Sequence, residues 1–290
     1  MARKQNIAVA GINVVIHPHS PELYVRLLDE AFNLKTVVKV LGVYYGMIGE
    51  LRSIDSEDPL TGLVGRFYRF INIDPKEPWF NLDKNEPATE AEMAKVVIPE
   101  FMRPGMTMFN FVFYPKGHKL YFEVHDKKGS LGSSSVKKLL DTVFAAPSIT
   151  QAFGTVDITV IPAKEQLEKI FAINRLSKLI IEITRPNSDG GEEYEEQVMK
   201  RLERQNARQE RIEYTAIPNT TIEPDDETKK LAKVASHNGR VSGKGTDLQG
   251  KKVILSTISH SWTEIIVYDS DTQTQIDALV DQTRSQRHDI

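Results

Sequence analysis

Residues 108–124 read MFNFVFYPKGHKLYFEV. Apolar and aromatic residues fill Met108 to Tyr114 and Leu120 to Val124, and Pro115-Lys116-Gly117-His118 separates them. Two short β-prone runs joined by a Pro/Gly turn predict an antiparallel hairpin. Towards the N-terminus, Leu63 to Ile73 and Val37 to Ile48 are two further extended, aromatic-rich runs. Ile7 to Ile16 is β-branched and apolar, and it stops at the turn-forming HPHSP. Ser20 is placed to cap a helix that has Pro21 at its first position. Tyr24, Leu27, Leu28, Ala31 and Phe32 then recur at helical spacing. The loop from Asp74 to Pro87 carries Trp79 and Phe80, and a short amphipathic piece spans Met93 to Ile98.

Towards the C-terminus, Ser133 to Ser135 precede a helix whose core face is Val136, Leu139, Leu140, Val143 and Phe144. Thr155 to Ile161 is read as a strand, and Leu167, Ile170 and Phe171 mark a short helix. Leu179 to Ile183 is read as another strand, closed by Arg185-Pro186-Asn187. These readings predict an α+β chain with mixed or antiparallel sheets and ferredoxin-like, split βαβ elements. The two half-units invite the idea of a duplication, although no internal repeat is convincing enough to claim one. After Ser188 the composition turns acidic and then basic, with Tyr194, Val198 and Leu202 as a weak apolar stripe. A surface helix or helical arm is expected there, then a helix near Thr228 to Ala235. Lys252 to Ile258 and Glu264 to Tyr268 are expected as closing strands, and a polar helix fraying at its end as the tail. The expected division is an N-terminal unit, 1–186, and a C-terminal segment, 187–290.

The chain has 290 residues, 40% of them apolar and 27% charged, with a formal net charge of −3. That composition is ordinary for a soluble globular protein, and the charge confines any polyanion contact to a local patch. The absence of cysteine excludes disulfides, thiolate metal sites and a cysteine nucleophile, and it fits a reducing cytoplasm. The apolar N-terminal run ends at Ile16 without a small-residue cleavage pattern and is read as a strand, not a signal peptide. No apolar stretch reaches the roughly 18 residues of a membrane span.

Charge and backbone freedom concentrate at 229–252, KKLAKVASHNGRVSGKGTDLQGKK. Lys229, Lys230, Lys233, Arg240, Lys244, Lys251 and Lys252 could neutralise a polyanion there. Gly239, Gly243, Gly245 and Gly250 would let main chain approach it, so a basic glycine loop binding nucleic acid is expected. The competing reading is a solvated connector. Residues 239–244 fall one residue short of a phosphate-binding GxxxxGK, and glycine follows the lysine. The dinucleotide fingerprint fails as well, since the third glycine is missing. Arg66 and Arg69 flank Phe67, Tyr68 and Phe70 in a band of strand aromatics. That cluster would suit base stacking, although strand aromatics at period two are far more often core.

His17 and His19 bracket Pro18, and His118 and His125 bracket the second hairpin strand. Imidazoles can bind metal or exchange protons, yet no matched ligand set accompanies these, and helix-entry and turn architecture is the simpler explanation. The carboxylate-and-lysine spacing of a metal-dependent nuclease fails at both Glu182 and Glu123. Neither metal nor cofactor is expected.

Four phrases, INVVIHPHSPELY (12–24), GHKLYFEVHD (117–126), VDITVIPAKEQLEKI (156–170) and GRVSGKGTDLQGKKVILST (239–257), give the chain a resemblance to a family of uncharacterised bacterial proteins of similar length. That family is met at phage-defence and mobile-element loci, and the likeness spans nearly the whole chain. The resemblance implies defence against invading nucleic acid and transfers no catalytic residue. With the basic stretch, it favours a non-enzymatic nucleic-acid-binding or sensing component. A metal-dependent nuclease effector and a protein-interaction scaffold or homo-oligomeric subunit, working through the charged 192–213 segment, are the alternatives.

Overall fold

The computed structural model describes residues 3–126, 129–186 and 193–286. The apolar first run forms β1 (Lys4–Val15). The Ser20 hydroxyl accepts from the Leu23 N–H and starts α1 (Pro21–Asn33), whose buried residues are Tyr24, Leu27, Leu28 and Ala31. The run at 37–48 is two strands, β2 (Val38–Leu41) and β3 (Tyr44–Ser53), because Gly42 takes a φ of 53° and turns the chain between them. β4 (Leu63–Ile71) follows. The excursion after it holds only β5 (Phe80–Asn81), β6 (Glu86–Pro87) and the one-turn α2 (Glu90–Met93). The 108–124 stretch is the hairpin of β7 (Thr107–Tyr114) and β8 (Lys119–Glu123), and β9 (His125–Asp126) and β10 (Gly129–Ser130) make a small ribbon beyond it.

α3 (Ser133–Phe144) buries all five core-face residues expected of it, and α4 (Pro147–Phe153) and β11 (Asp157–Val160) complete this half. The second half contains α5 (Gln166–Phe171), β12 (Arg175–Thr184), α6 (Glu193–Arg204), β13 (Gln209–Thr215), α7 (Asp226–His237), β14 (Gly239–Thr246) and β15 (Lys252–Ser256). β16 (Thr263–Asp269) and α8 (Gln275–Gln286) return to the first half. No helix among the described residues is long and apolar enough to cross a membrane.

The fold is α+β. An eight-stranded sheet runs in the order β11-β1-β8-β7-β4-β3-β2, with β16 beside the first part of β1, and every pairing in it is antiparallel. Strand alternation gives it two apolar faces. Ala10, Ile12, Val14, Phe67, Phe111 and Phe122 pack under α1, α3 and α4. Ile7, Val9, Val112 and Tyr121 pack with Trp262 and with Ala278 and Leu279 of α8. The tail helix, expected to be polar, therefore buries one face in the core, and the end expected to fray lies outside the described residues.

A second, four-stranded antiparallel sheet has the order β13-β12-β14-β15. Its connectivity differs from that of the first, so the two sheets do not repeat one unit. One face (Leu179, Ile181, Ile183, Val241) packs against Ile170 of α5, Val198 and Leu202 of α6, and Leu231, Ala232, Val234 and Ala235 of α7. Of the surface helix or helical arm expected after Ser188, the helix is present as α6, packed through Val198 and Leu202, and the rest of 192–213 is the strand β13, not an arm. A division at 186/187 separates β12 from the sheet it belongs to, and β16 pairs with β1 across the same line. Part of the acidic run after Ser188 (188–192) lies outside the described residues.

The basic glycine segment is a strand and a tight turn, where a loop was expected. β14 stands between β12 and β15. Its glycines provide space: a Cβ at Gly243 would stand 2.7 Å from Ile170 Cγ2, and one at Gly245 2.0 Å from the Arg175 carbonyl oxygen. Conformational freedom is needed at Gly250 (φ 78°), in the turn where Asp247 Oδ1 accepts the N–H groups of Gln249 and Lys251.

Candidate functional site

Helices α5, α6 and α7 pack on one face of the four-stranded sheet, and among the described residues no helix is packed on the other. Alternation sends Val241 and Gly243 to the core and Arg240, Ser242, Lys244 and Thr246 outwards. The register sets these beside Lys178 and Glu182 of β12 and Lys252 and Ile254 of β15, with Arg211 and Glu213 of β13 beyond. Long charged stems cover Ile180, which is 8% exposed, whereas Ile254 near the free edge is 68% exposed.

The charge on this face is divided. At one end Glu182 is gripped from both sides, by Arg240 Nη2 at 2.6 Å and Arg211 Nη1 at 3.1 Å. Lys178 and Arg211 both pair with Glu213, and together they hold its carboxyl below the usual range. The other end carries Lys244, Lys251 and Lys252, none of which has an ion-pair partner among the described residues. Lys244 lies directly across from Lys178, whose charge Glu213 already balances, so Lys244 is the member of that pair left without a carboxylate. Arg175, opposite Thr246, adds a guanidinium whose neutral partner is Asn219 Oδ1 at 2.8 Å.

The seven basic residues of 229–252 therefore do not form one patch. Lys229, Lys230 and Lys233 are on the outer side of α7, behind the sheet, and Lys229 lies 3.8 Å from Asp226. Arg240 is committed to Glu182, and only Lys244, Lys251 and Lys252 share an end of the open face. Sequence reasoning missed Arg175 and Lys178, because a strand's register with a distant strand is not written in local spacing.

Arg66 and Arg69 are three residues apart on β4 and point to opposite faces. Arg66 donates to both oxygens of Glu50, at 2.9 and 3.0 Å, and to Asn110 Oδ1. Arg69 is 8% exposed, stacks over the Tyr44 ring at 4.3 Å and donates to the Ser130 carbonyl. Phe67 is buried and lies 4.5 Å from Phe111, and Phe70, Phe109, Phe113, Tyr121 and Phe122 are buried too. Most of the aromatic band is core, and the half-buried Tyr68 of the quoted cluster donates its hydroxyl to Glu50 Oε1 at 2.6 Å, so the cluster is not laid out as a base-stacking platform.

The histidines converge where the two sheets meet. Asn13 donates from Nδ2 to the His237 carbonyl and to Asn238 Oδ1, and its own Oδ1 accepts from His118 Nδ1 at 2.6 Å. Asn238 passes the chain on to Glu195 Oε1 at 2.6 Å. The His19 and His118 rings meet edge-on at 5.7 Å, and His19 Nδ1 is 3.1 Å from the Tyr24 hydroxyl. His17 turns away and donates from Nε2 to the Arg185 carbonyl. Burial pushes His118 down to about 3 and also lowers His17, so His118 is neutral at physiological pH. Three of the quoted phrases, at 12–24, 117–126 and near Gly239, meet at this junction, where the polar groups join two sheets.

Glu123 accepts from the backbone and side chain of Asn110, and Glu182 is held by its arginines. Among the described residues no group of three His, Asp or Glu side chains is placed to hold a metal ion. The side chain of Asp126, expected beside His125, lies outside the described residues. A comparison with curated proteins finds no match for the chain. A family model does match, over residues 5–284: the chain belongs to the family described as a domain of unknown function, DUF4747.

Proposed function

We propose that the chain binds nucleic acid, without acting on it chemically, at the basic end of the open sheet face. The observation that carries this reading is the gathering of Lys244, Lys251 and Lys252 at one end of that face, none of them paired to a carboxylate among the described residues, beside Arg175, whose partner is the neutral Asn219. A phosphate backbone would balance these charges, and an open antiparallel face suits an extended strand better than a globular ligand. Role and setting, a sensor of invading nucleic acid in the cytoplasm, come into the proposal from the resemblance and the cysteine-free composition. For the fold, we propose that β1, α1, β7, β8, α3 and β11 form a split βαβ frame to which β2, β3 and β4 are added. The spatial order β11-β1-β8-β7 supports that reading.

The test is fluorescence anisotropy with labelled single-stranded RNA, single-stranded DNA and duplex DNA across a salt series. Replacing Lys244, Lys251 and Lys252 together with Gln should weaken binding and flatten the log–log salt slope. Each lost contact removes about 0.9 for duplex or about 0.7 for a single strand. These exposed side chains pack little, so stability should change by roughly 0.5 kcal/mol or less per site. Affinity and slope both unchanged would overturn the reading. Degradation of any probe with Mg²⁺ or Mn²⁺ that co-purifies with the chain to homogeneity would favour the nuclease alternative.

A further inference from the structure

We infer that the free edge of β16 pairs with β16 of a second copy of this chain, joining two eight-stranded sheets into one. β16 is bonded to β1 on one side only, and no second strand pairs with it among the described residues. It reads TEIIVYD over Thr263–Asp269. Ile265 and Val267 are 59% and 57% exposed, whereas Ile266 and Tyr268, pointing the other way, are buried. A regular strand with an apolar outer row and no blocking lysine, proline or bulge lacks the devices that keep solvent-facing edges monomeric.

The sequence of the strand selects the occupant. A twofold axis at Ile266 sets two copies antiparallel, the isologous arrangement that closes after two chains. Ile265 then faces Val267 of the other copy, and Val267 faces its Ile265, so each exposed apolar side chain gains an apolar cross-strand neighbour. Glu264 falls opposite Tyr268, and Thr263 opposite Asp269. Glu264 keeps its hydrogen bond from Gln282 Nε2 and the Tyr268 hydroxyl its bond to Gln5 Oε1, and no like charges oppose. Lys4, across from Asp269 within each chain, keeps the ends of the paired strands balanced. A hetero-partner would need a complementary edge of its own; this edge complements itself. The inference is independent of the nucleic-acid reading.

Light scattering after size exclusion of the full chain should give twice the 32.8 kDa chain mass. The Ile265→Lys/Val267→Lys variant should give the single mass with an unchanged circular-dichroism spectrum, its melting temperature falling only by what dimerisation contributes to the unaltered chain. The chain has no native cysteine, so Ile265→Cys/Val267→Cys should form a covalent dimer on mild oxidation. The exposed, remote Val97→Cys/Leu82→Cys control should not. A monomer mass for the unaltered chain at about 100 μM, well above the Kd of an ordinary specific pair, would overturn the inference. A dimer that survives the lysine substitutions, or that cross-links equally well through the control, would place the interface elsewhere and overturn it too.

Discussion

Gly65, inside β4, has no room for a side chain: a Cβ would stand 2.2 Å from the Glu50 carbonyl oxygen and 2.5 Å from Phe111 Cζ. The carbonyl belongs to the neighbouring strand and the ring is locked against Phe67, so neither can move aside cheaply. Gly65→Ala should destabilise the fold by about 2–4 kcal/mol, read as a loss of several degrees in melting temperature. A melting temperature within a degree of the original would show that β3 and β4 do not pack this way. His118 makes a different kind of residue-level prediction. Its ordinary value of 6.5 falls to about 3 in the fold, so between those limits the unfolded chain holds the proton more tightly. Its contribution to stability is therefore complete above about pH 6.5 and declines as pH falls towards 3, by up to about 1.4 kcal/mol per pH unit. Denaturation with urea at several pH values checks this, with His118→Gln as the comparison. The difference in stability between the two proteins should shrink steadily as pH drops, and a constant difference would remove the assigned neutral state.

At the scale of elements, the open face of the second sheet is tuned by Glu182, whose side chain is 13% exposed and bonded to both Arg211 and Arg240. Glu182→Gln removes the charge that both guanidiniums share. Stability should fall by about 1–3 kcal/mol, since partly buried cations lose their counter-charge. Nucleic-acid affinity should nevertheless rise and its salt slope steepen, because Arg240 becomes available to phosphate while Arg211 keeps Glu213. Anisotropy titration reads both, and a weaker or unchanged affinity in a folded variant would remove this face from the interface. The elements themselves were legible in the sequence wherever one face meets a core: β1, α1, the β7–β8 hairpin and α3 all carry the period of their structure. β14 was not, because GRVSGKG lacks β-branched residues except Val241 and its glycines look like loop punctuation; the close approach of Ile170 and Arg175 that demands them is a tertiary fact. β13 was missed for a related reason. QERIEYT alternates, but its outward residues are as charged as those of α6 just before it, and only pairing with β12 makes the alternation meaningful. Of the candidate site, the lysines were legible as a basic run, while their division between the back of α7 and the end of the sheet depends on which face each element buries.

At the scale of the whole molecule, the two sheets are joined by more than a linker. The Asn13–His118–Asn238–Glu195 chain crosses between them, and Arg208 Nη2 meets Asp157 Oδ1 at 2.6 Å. His17 Nε2, just after β1, donates to the Arg185 carbonyl, just after β12, at 3.2 Å. The chain also passes from the first sheet to the second and back, through β11 to β12 and then β15 to β16. Each sheet thus depends on residues from both sides of position 186. A fragment ending there keeps β12 without β13, β14 or β15, leaving Leu179, Ile181 and Ile183 exposed to water. It also strips β16 and α8 from β1, uncovering Ile7, Val9, Val112 and Tyr121. Burying a side chain of this size is worth about 1.5–3 kcal/mol, so the seven losses together come to about 10–21 kcal/mol, as large as the whole 5–15 kcal/mol stability of an ordinary domain. The 1–186 fragment should therefore be aggregated or lack a cooperative thermal transition, whereas the full chain melts with one. Circular dichroism melts of the two proteins decide the matter. A cooperative transition in the fragment near that of the full chain would mean that the first sheet stands without its closing strand, and that 186/187 is a real boundary after all.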